Sequence, residues 1–171
     1  MKGNVILTGA SVNDFDHALS MLDSSLAELR RVAHNMMPEA LVRLGLKETL
    51  SDFCNELDKV NSMQIIFQFY GEFSRLDSNL EINAYRIVQE LINNAIKHSG
   101  AKELVVQIVQ EPTRICFIVL DDGIGFDYKN ILSAKGIGLA SVKSRVDSFN
   151  GQLEINSSLG KGSEITVEFS I

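Results

Sequence analysis

The pattern of apolar residues in this chain predicts an α+β fold: a two-layer α/β sandwich, with helices covering one face of a mixed sheet, preceded by a helical segment. Three observations carry that prediction. Apolar residues in the first third recur at helical spacing. From residue 63 the period shortens to that of strands. The strand-like runs are then separated by two more long helical stretches, near 79–99 and 137–150.

The first element is the most regular. Val12, Phe15, Leu19, Leu22, Leu26, Leu29, Ala33 and Met36 follow steps of three and four, a heptad seam. So narrow a stripe suits helix-on-helix packing in a coiled coil or bundle, although a single amphipathic helix docked on its own domain would also use it. Pro38 should kink or end this helix. After Gly45, a second helix over about 47–60 carries Leu46, Leu50, Phe53, Leu57 and Val60 on one face. "MQIIFQFY" (63–70) has the β-branched and aromatic content of a strand. A helix over about 79–99 follows. The runs "ELVVQIVQ" (103–110) and "RICFIVLD" (114–121) form two strands joined by a turn at Pro112. A glycine-rich loop over 122–136 leads into a helix over about 137–150, with Gly151 expected at its C-terminal cap. "QLEINS" and "SEITVEFS" close the chain as strands.

Composition narrows the function. The net charge of −6 and a pI near 5.1 oppose nucleic-acid binding, which needs a basic face to neutralise phosphates. They do not oppose a nucleotide ligand, which needs a few local donors. Cys54 and Cys116 each lie in apolar sequence and read as small buried side chains of a reducing compartment. Two isolated cysteines with His17, His34 and His98 at these spacings build no metal site. No apolar run approaches the roughly 20 residues of a membrane helix, and the N-terminus lacks a signal pattern. The expectation is a cytoplasmic chain without membrane contact, any membrane part of the natural protein lying outside these residues.

Three glycine segments and one helix ridge carry the chemistry. "DDGIGF" (121–126) ends a strand, "KGIGLASV" (135–142) opens a helix, and "GKGS" (160–163) precedes the last strand. Glycine allows close backbone approach to a ligand. A helix start just after Gly136 and Gly138 presents free N–H groups and the positive dipole end, which suits phosphate. In "ELINNAIKHS" (90–99), Glu90, Asn94 and Lys97 or His98 share one helical face, while Leu91, Ile92, Ala95 and Ile96 form the apolar side.

An acid–amide ridge, Asp-x-Gly-x-Gly, Gly-x-Gly-Leu and Gly-x-Gly-Ser, in that order, resemble the ATP-binding domain of the GHKL superfamily, which includes gyrase, Hsp90, MutL and histidine kinases. "YRIVQELINNAIKHSGA" and "GIGLASVKSRVDSFNGQLEINSSLGKGSEITVEF" resemble most the two-component sensor histidine kinases, in the short-lid subgroup of nitrate and fluidity sensors. The resemblance covers residues 63–171 and implies a Bergerat-type ATP-binding fold. It implies that Asn94 holds Mg²⁺ through its amide oxygen, and that Glu90 polarises a water near the metal as the catalytic acid or amide position. Lys97 and His98 would meet phosphate charge, His98 alternatively capping the helix. Asp121 would accept from the adenine amino group, Gly123 and Gly125 would pass beside the base, and Asp122 would be a solvated neighbour. Residues 126–135 would form the lid, and Gly136, Gly138 and Leu139 would meet the phosphates through backbone N–H groups. Gly160, Gly162 and Ser163 would complete the adenine or ribose end. The family more often has Thr at the position of Ser163, which keeps the hydroxyl.

The resemblance also divides the chain: a dimerisation-type helix with its connector over 1–45, and the ATP-binding domain over 46–171. "LRRVAHNMMPEALVRLGLKETL" is similar to the segment joining the second dimerisation helix to the ATP domain. The phosphoacceptor histidine is therefore expected upstream of this chain. His34 is the competing candidate, but Asn35 follows it where the subgroup usually has an acid, and an amide cannot serve as general base. The implied function is transfer of the ATP γ-phosphate to a histidine, for relay to the receiver domain of a response regulator, in a homodimer formed through the N-terminal helices. The other readings are a clamp that hydrolyses ATP with Glu90 as base, a kinase using His34, and a docking module that has kept its nucleotide site.

Overall fold

A computed structural model describes residues 39–127 and 137–171. The heptad seam, His17, His34, Pro38, Gly136 and lid residues 128–135 lie outside the described residues.

The described chain runs α1 (Glu39–Leu44), α2 (Leu46–Val60), β1 (Gln64–Gly71), α3 (Ser78–His98), β2 (Glu103–Glu111), β3 (Arg114–Asp121), α4 (Ile137–Asp147), β4 (Gln152–Ser157) and β5 (Ser163–Ser170). The five strands form one mixed sheet in the order β1-β2-β3-β5-β4. β1 and β2 are parallel and joined through α3, whereas the other neighbours are antiparallel. From residue 46 onward the predicted helices and strands recur within a few residues of their expected bounds.

Strand alternation sets which face is covered. Leu104, Val106 and Ile108 of β2, Ile115, Phe117 and Val119 of β3, and Ile165, Val167 and Phe169 of β5 are buried. Their alternating neighbours Val105, Gln107, Ile118 and Thr166 are only half-buried, so helices cover one side of the sheet. Ile87, Val88, Leu91 and Ile92 of α3 fill the centre of that layer. Edge-to-face pairs Phe117–Phe169 at 6.3 Å and Phe53–Tyr85 at 6.1 Å fix ring orientation within the sheet and between α2 and α3.

α3 has defined ends. Asp77 caps it by accepting from Asn79 N (2.9 Å) and Leu80 N (3.3 Å). Beyond Ser99, Gly100 adopts φ +59° and reverses the chain toward β2.

Three local features depart from the sequence reading. The connector contains a short helix, α1, over Glu39–Leu44, which the apolar periodicity did not predict. α4 stops at Asp147, and the left-handed residue near its end is Asn150 (φ 51°), not Gly151. Gly151 still closes the helix end, its N–H donating to Val146 O at 3.0 Å, and it is also needed for space: a Cβ there would lie 2.5 Å from the Phe169 ring. Cys116 is half-buried on the outer sheet face, while Cys54 is fully buried.

The connector is tied down by an ion pair. Buried Glu81, in the first turn of α3, accepts from Arg75 Nε (2.9 Å) and a terminal nitrogen (2.8 Å), and Arg75 also donates to the α1 carbonyls of Leu41 and Val42 at 3.4 Å. The Leu76 N–H adds a third donor to Glu81 at 3.2 Å, which offsets the cost of burying a carboxylate.

Candidate functional site

The amphipathic pattern of α3 turns Leu91, Ile92 and Ala95 toward the sheet and leaves Glu90 and Asn94, one turn apart, at the layer's boundary. The start of α4 lies directly against them. A Cβ on Gly138 would sit 2.7 Å from Glu90 Oε1, 2.9 Å from Asn94 Nδ2 and 3.0 Å from Asn94 Oδ1. Only a residue without a side chain can bring the first turn of α4 this close to the ridge. Gly138, Glu90 and Asn94, predicted from separate segments, therefore meet. Leu139 packs its side chain on the core and keeps its backbone in that first turn.

The Asn94 amide is the telling group. Its Nδ2 is buried and has no hydrogen-bond partner. A buried polar atom without a partner costs about 1–3 kcal/mol, so native structures rarely keep one without a use. Beside it are its own Oδ1, Glu90 Oε1 and the first turn of α4, a helix N-terminus. That suits a phosphate with a hard cation, for which Mg²⁺ commonly takes one or two protein oxygens and completes its octahedron with phosphate and water. No cluster of three or more His, Cys, Asp or Glu that could hold a metal occurs among the described residues. Lys97 and His98 are exposed in the last turn of α3.

A second group forms where β3 ends. Asp121 is buried; its Oδ1 accepts from Gly123 N at 2.9 Å, and its Oδ2 accepts a short hydrogen bond from the Ser163 hydroxyl. The glycines allow this crowding. A Cβ on Gly123 would approach Ser99 O to 2.3 Å, one on Gly125 would approach Ser158 O to 2.1 Å, and one on Gly162 would approach Asp121 O to 2.0 Å. Gly125 and Gly162 also have φ of +59° and +74°, which disfavours side chains. Gly160 donates to Ile124 O at 2.6 Å, locking the two glycine loops together.

Two serines that the motifs did not single out hold this arrangement. Ser157 Oγ accepts from Phe126 N (2.9 Å) and donates to Gly162 O (3.0 Å). Ser99 O accepts from Ile124 N at 2.8 Å, which ties the end of the Asn94 helix to the Asp121 loop. Alternation in "QLEINS" puts Ser157 on the inner face with Leu153 and Ile155, where a hydroxyl requires partners; that was the available signal. Asp122 is exposed and structural: its Oδ1 accepts from Lys102 N (2.7 Å) and Glu103 N (3.0 Å), and these donors hold its carboxyl below the ordinary aspartate range.

With this geometry in hand, comparison with known proteins is direct. Residues 79–171 match the family described as histidine kinase-, DNA gyrase B- and HSP90-like ATPase. Sensor histidine kinase ComP of Bacillus subtilis (strain 168) is 32% identical over 143 residues, covering 83% of this chain and 19% of that protein. The signal transduction histidine-protein kinase/phosphatase DegS of Brevibacillus brevis is 32% identical over 151 residues, 88% of this chain and 39% of that protein. Sensor histidine kinase MctS of Rhizobium johnstonii is 32% identical over 145 residues, 84% of this chain and 32% of that protein. The chain thus spans well under half the length of these relatives. The histidine kinase domain of the Erythrobacter litoralis EL346 blue-light activated histidine kinase shares the fold, with a TM-score of 0.58 at 16% identity over 72% of this chain and 64% of that one. The chain belongs to the histidine kinase-, DNA gyrase B- and HSP90-like ATPase family, and its mixed sheet with helices is the fold of that family's ATP-binding domain. No helix of the described residues is long and apolar enough to cross a membrane.

Proposed function

We propose that this chain is the ATP-binding catalytic part of a two-component sensor histidine kinase, which delivers the γ-phosphate of Mg–ATP to a histidine other than His34. The observation that carries the reading is the buried, unpartnered amide of Asn94, set beside Glu90 under the glycine that opens α4. The similarity to three named kinases supports the same conclusion.

In this reading Asp121 selects adenine by accepting from its amino group, with Ser163 holding the carboxylate in place. Gly123 and Gly125 keep the base's edge free of side chains. Asn94 supplies an amide oxygen to Mg²⁺, and the ion neutralises phosphate charge during transfer. Backbone N–H groups at the start of α4, from Gly136 to Leu139, bind the phosphates, with Lys97 and His98 supplying charge from the end of α3. Glu90 orients a water or hydroxyl near the reacting phosphate. Catalysis then consists of positioning and charge stabilisation, as is usual for phosphoryl transfer. The partners are a second copy of the protein, joined through the helical segment over 1–45, and the receiver domain of a response regulator.

The test is incubation with γ-labelled ATP and Mg²⁺, alone and with a separate acceptor segment from a sensor kinase. Acid-labile, base-stable label on the acceptor, with little free phosphate, is the expected result. Rapid phosphate release without an acceptor would replace the kinase reading with a hydrolysing clamp. Label on this chain that His34→Ala abolishes would make His34 the acceptor.

A further inference from the structure

Asn83 lies two and three turns before Glu90 and Asn94 on α3. Its buried side-chain Nδ2 donates to the backbone carbonyl of Arg145, in the last turn of α4, at 3.0 Å. At the other end of the pair, Gly138 in the first turn of α4 abuts Glu90 and Asn94. The two helices are therefore antiparallel, and one stripe of α3 touches both ends of α4.

We infer that Asn83 is a positioning residue for the phosphate end of the ATP site: by holding the C-terminal turn of α4 it fixes where the first turn of that helix lies over Glu90 and Asn94. The inference rests on the proposed ATP site. Among the described side chains of α4, Val142 and Val146 are fully buried and Leu139 is partly buried. Apolar contacts of this kind are non-directional, and a helix can slide along them, whereas a hydrogen bond to one carbonyl fixes the axial register. The last four carbonyls of a helix lack partners within it. That of Arg145 takes two, the Asn83 amide and the Ser148 hydroxyl at 2.8 Å. Loss of Asn83 would leave this carbonyl satisfied by Ser148, so the fold survives while the register loosens. The Asp121 end is held by β3, β5 and their loops, none of which involves Asn83.

The experiment measures affinity for ATP and for adenosine, which lacks phosphates, on wild type, Asn83→Leu and Asn83→Asp. Wild type that fails to bind ATP would overturn the proposed site itself, and this inference with it. With binding established, Asn83→Leu should lower ATP affinity on the order of five- to tenfold, the scale of one hydrogen bond, with the adenosine Kd within about twofold of wild type. Equal losses for both ligands, or no change in their ratio, would overturn the positioning role. Asn83→Asp decides the matter if the leucine variant does not fold. An ionised carboxylate opposes the negative end of α4, whereas its protonated form donates to Arg145 as the amide does. Burial and the negative end of α4 both raise this carboxyl's pKa, so the ATP-to-adenosine ratio, taken against wild type at the same pH, should recover as pH falls from 8 to 5. A ratio independent of pH would refute the inference.

Discussion

Asp121 and Ser163 face each other as register partners on antiparallel β3 and β5, and the serine hydroxyl donates directly to the aspartate carboxylate. Both side chains are buried, so the pair fixes an acceptor at a point where solvent cannot replace it. Asp121→Asn exchanges one acceptor oxygen for a donor and removes the charge. Ser163 can rotate to accept, so folding should persist by circular dichroism. ADP affinity by calorimetry should fall roughly ten- to a hundredfold, the scale of a charge-assisted hydrogen bond. Ser163→Thr, which keeps the hydroxyl, should remain within about threefold of wild type.

Asn94 predicts opposite signs for stability and binding. Its Nδ2 is buried without a partner, so Asn94→Ala removes an unsatisfied group and should leave the nucleotide-free protein melting no lower than wild type. The same change should abolish the difference in ADP affinity measured with and without Mg²⁺, leaving Mg-free affinity within about threefold. A lower melting temperature together with unchanged Mg²⁺ dependence would mean that the amide serves the fold.

Much of this architecture was legible because local patterns agree with the global fold. The alternation of "RICFIVLD" and the apolar face of "ELINNAIKHS" each state which side is covered. The site was legible where it needs glycine: Gly138 abuts Glu90 and Asn94 because no other residue fits there. What the chain did not disclose are contacts made by ordinary residues across long separations. The Arg75–Glu81 pair reaching the α1 carbonyls, Ser157 bridging Phe126 and Gly162, and Asn83 reaching Arg145 have no periodic signature. Gly151 was legible as part of the helix cap, since its N–H donates to Val146 O at 3.0 Å, but the left-handed turn falls on Asn150 and the Phe169 ring that leaves no room for a side chain at 151 has no local signature.

Gly160 and Gly162 offer a controlled comparison within one loop. Both have positive φ, at 76° and 74°, but nothing lies within 4 Å of a Cβ on Gly160, while one on Gly162 would meet Asp121 O at 2.0 Å. Gly160→Ala should therefore carry only the left-handed penalty, about 1–2 kcal/mol, and keep nucleotide binding. Gly162→Ala must also displace the backbone of Asp121. It should lower the melting temperature further and abolish ADP binding. Equal effects of the two substitutions would show that backbone conformation, not the approach to Asp121, limits this loop.

Alkali should destabilise the fold through two buried groups on facing helices, Cys54 of α2 and Tyr85 of α3. Burial pushes the Cys54 thiol from 9.0 up to about 12, and it is also the main cause of the rise of Tyr85 from 10.0 to about 12. Both groups are neutral when protonated, so the unfolded chain loses their protons first as pH rises. Stability is fully present below pH 9 and is lost progressively toward pH 12; the Cys54 contribution is on the order of 4 kcal/mol across that window. Cys54→Ala removes this term and leaves a small cavity costing about 1 kcal/mol near neutrality. Urea unfolding at pH 7, 9 and 10.5 should then show wild type ahead at pH 7, with its lead shrinking and reversing as pH rises. Parallel stability curves for the two proteins would mean that the Cys54 thiol ionises in the folded chain as readily as in the unfolded one, and that its burial does not govern the alkaline limb.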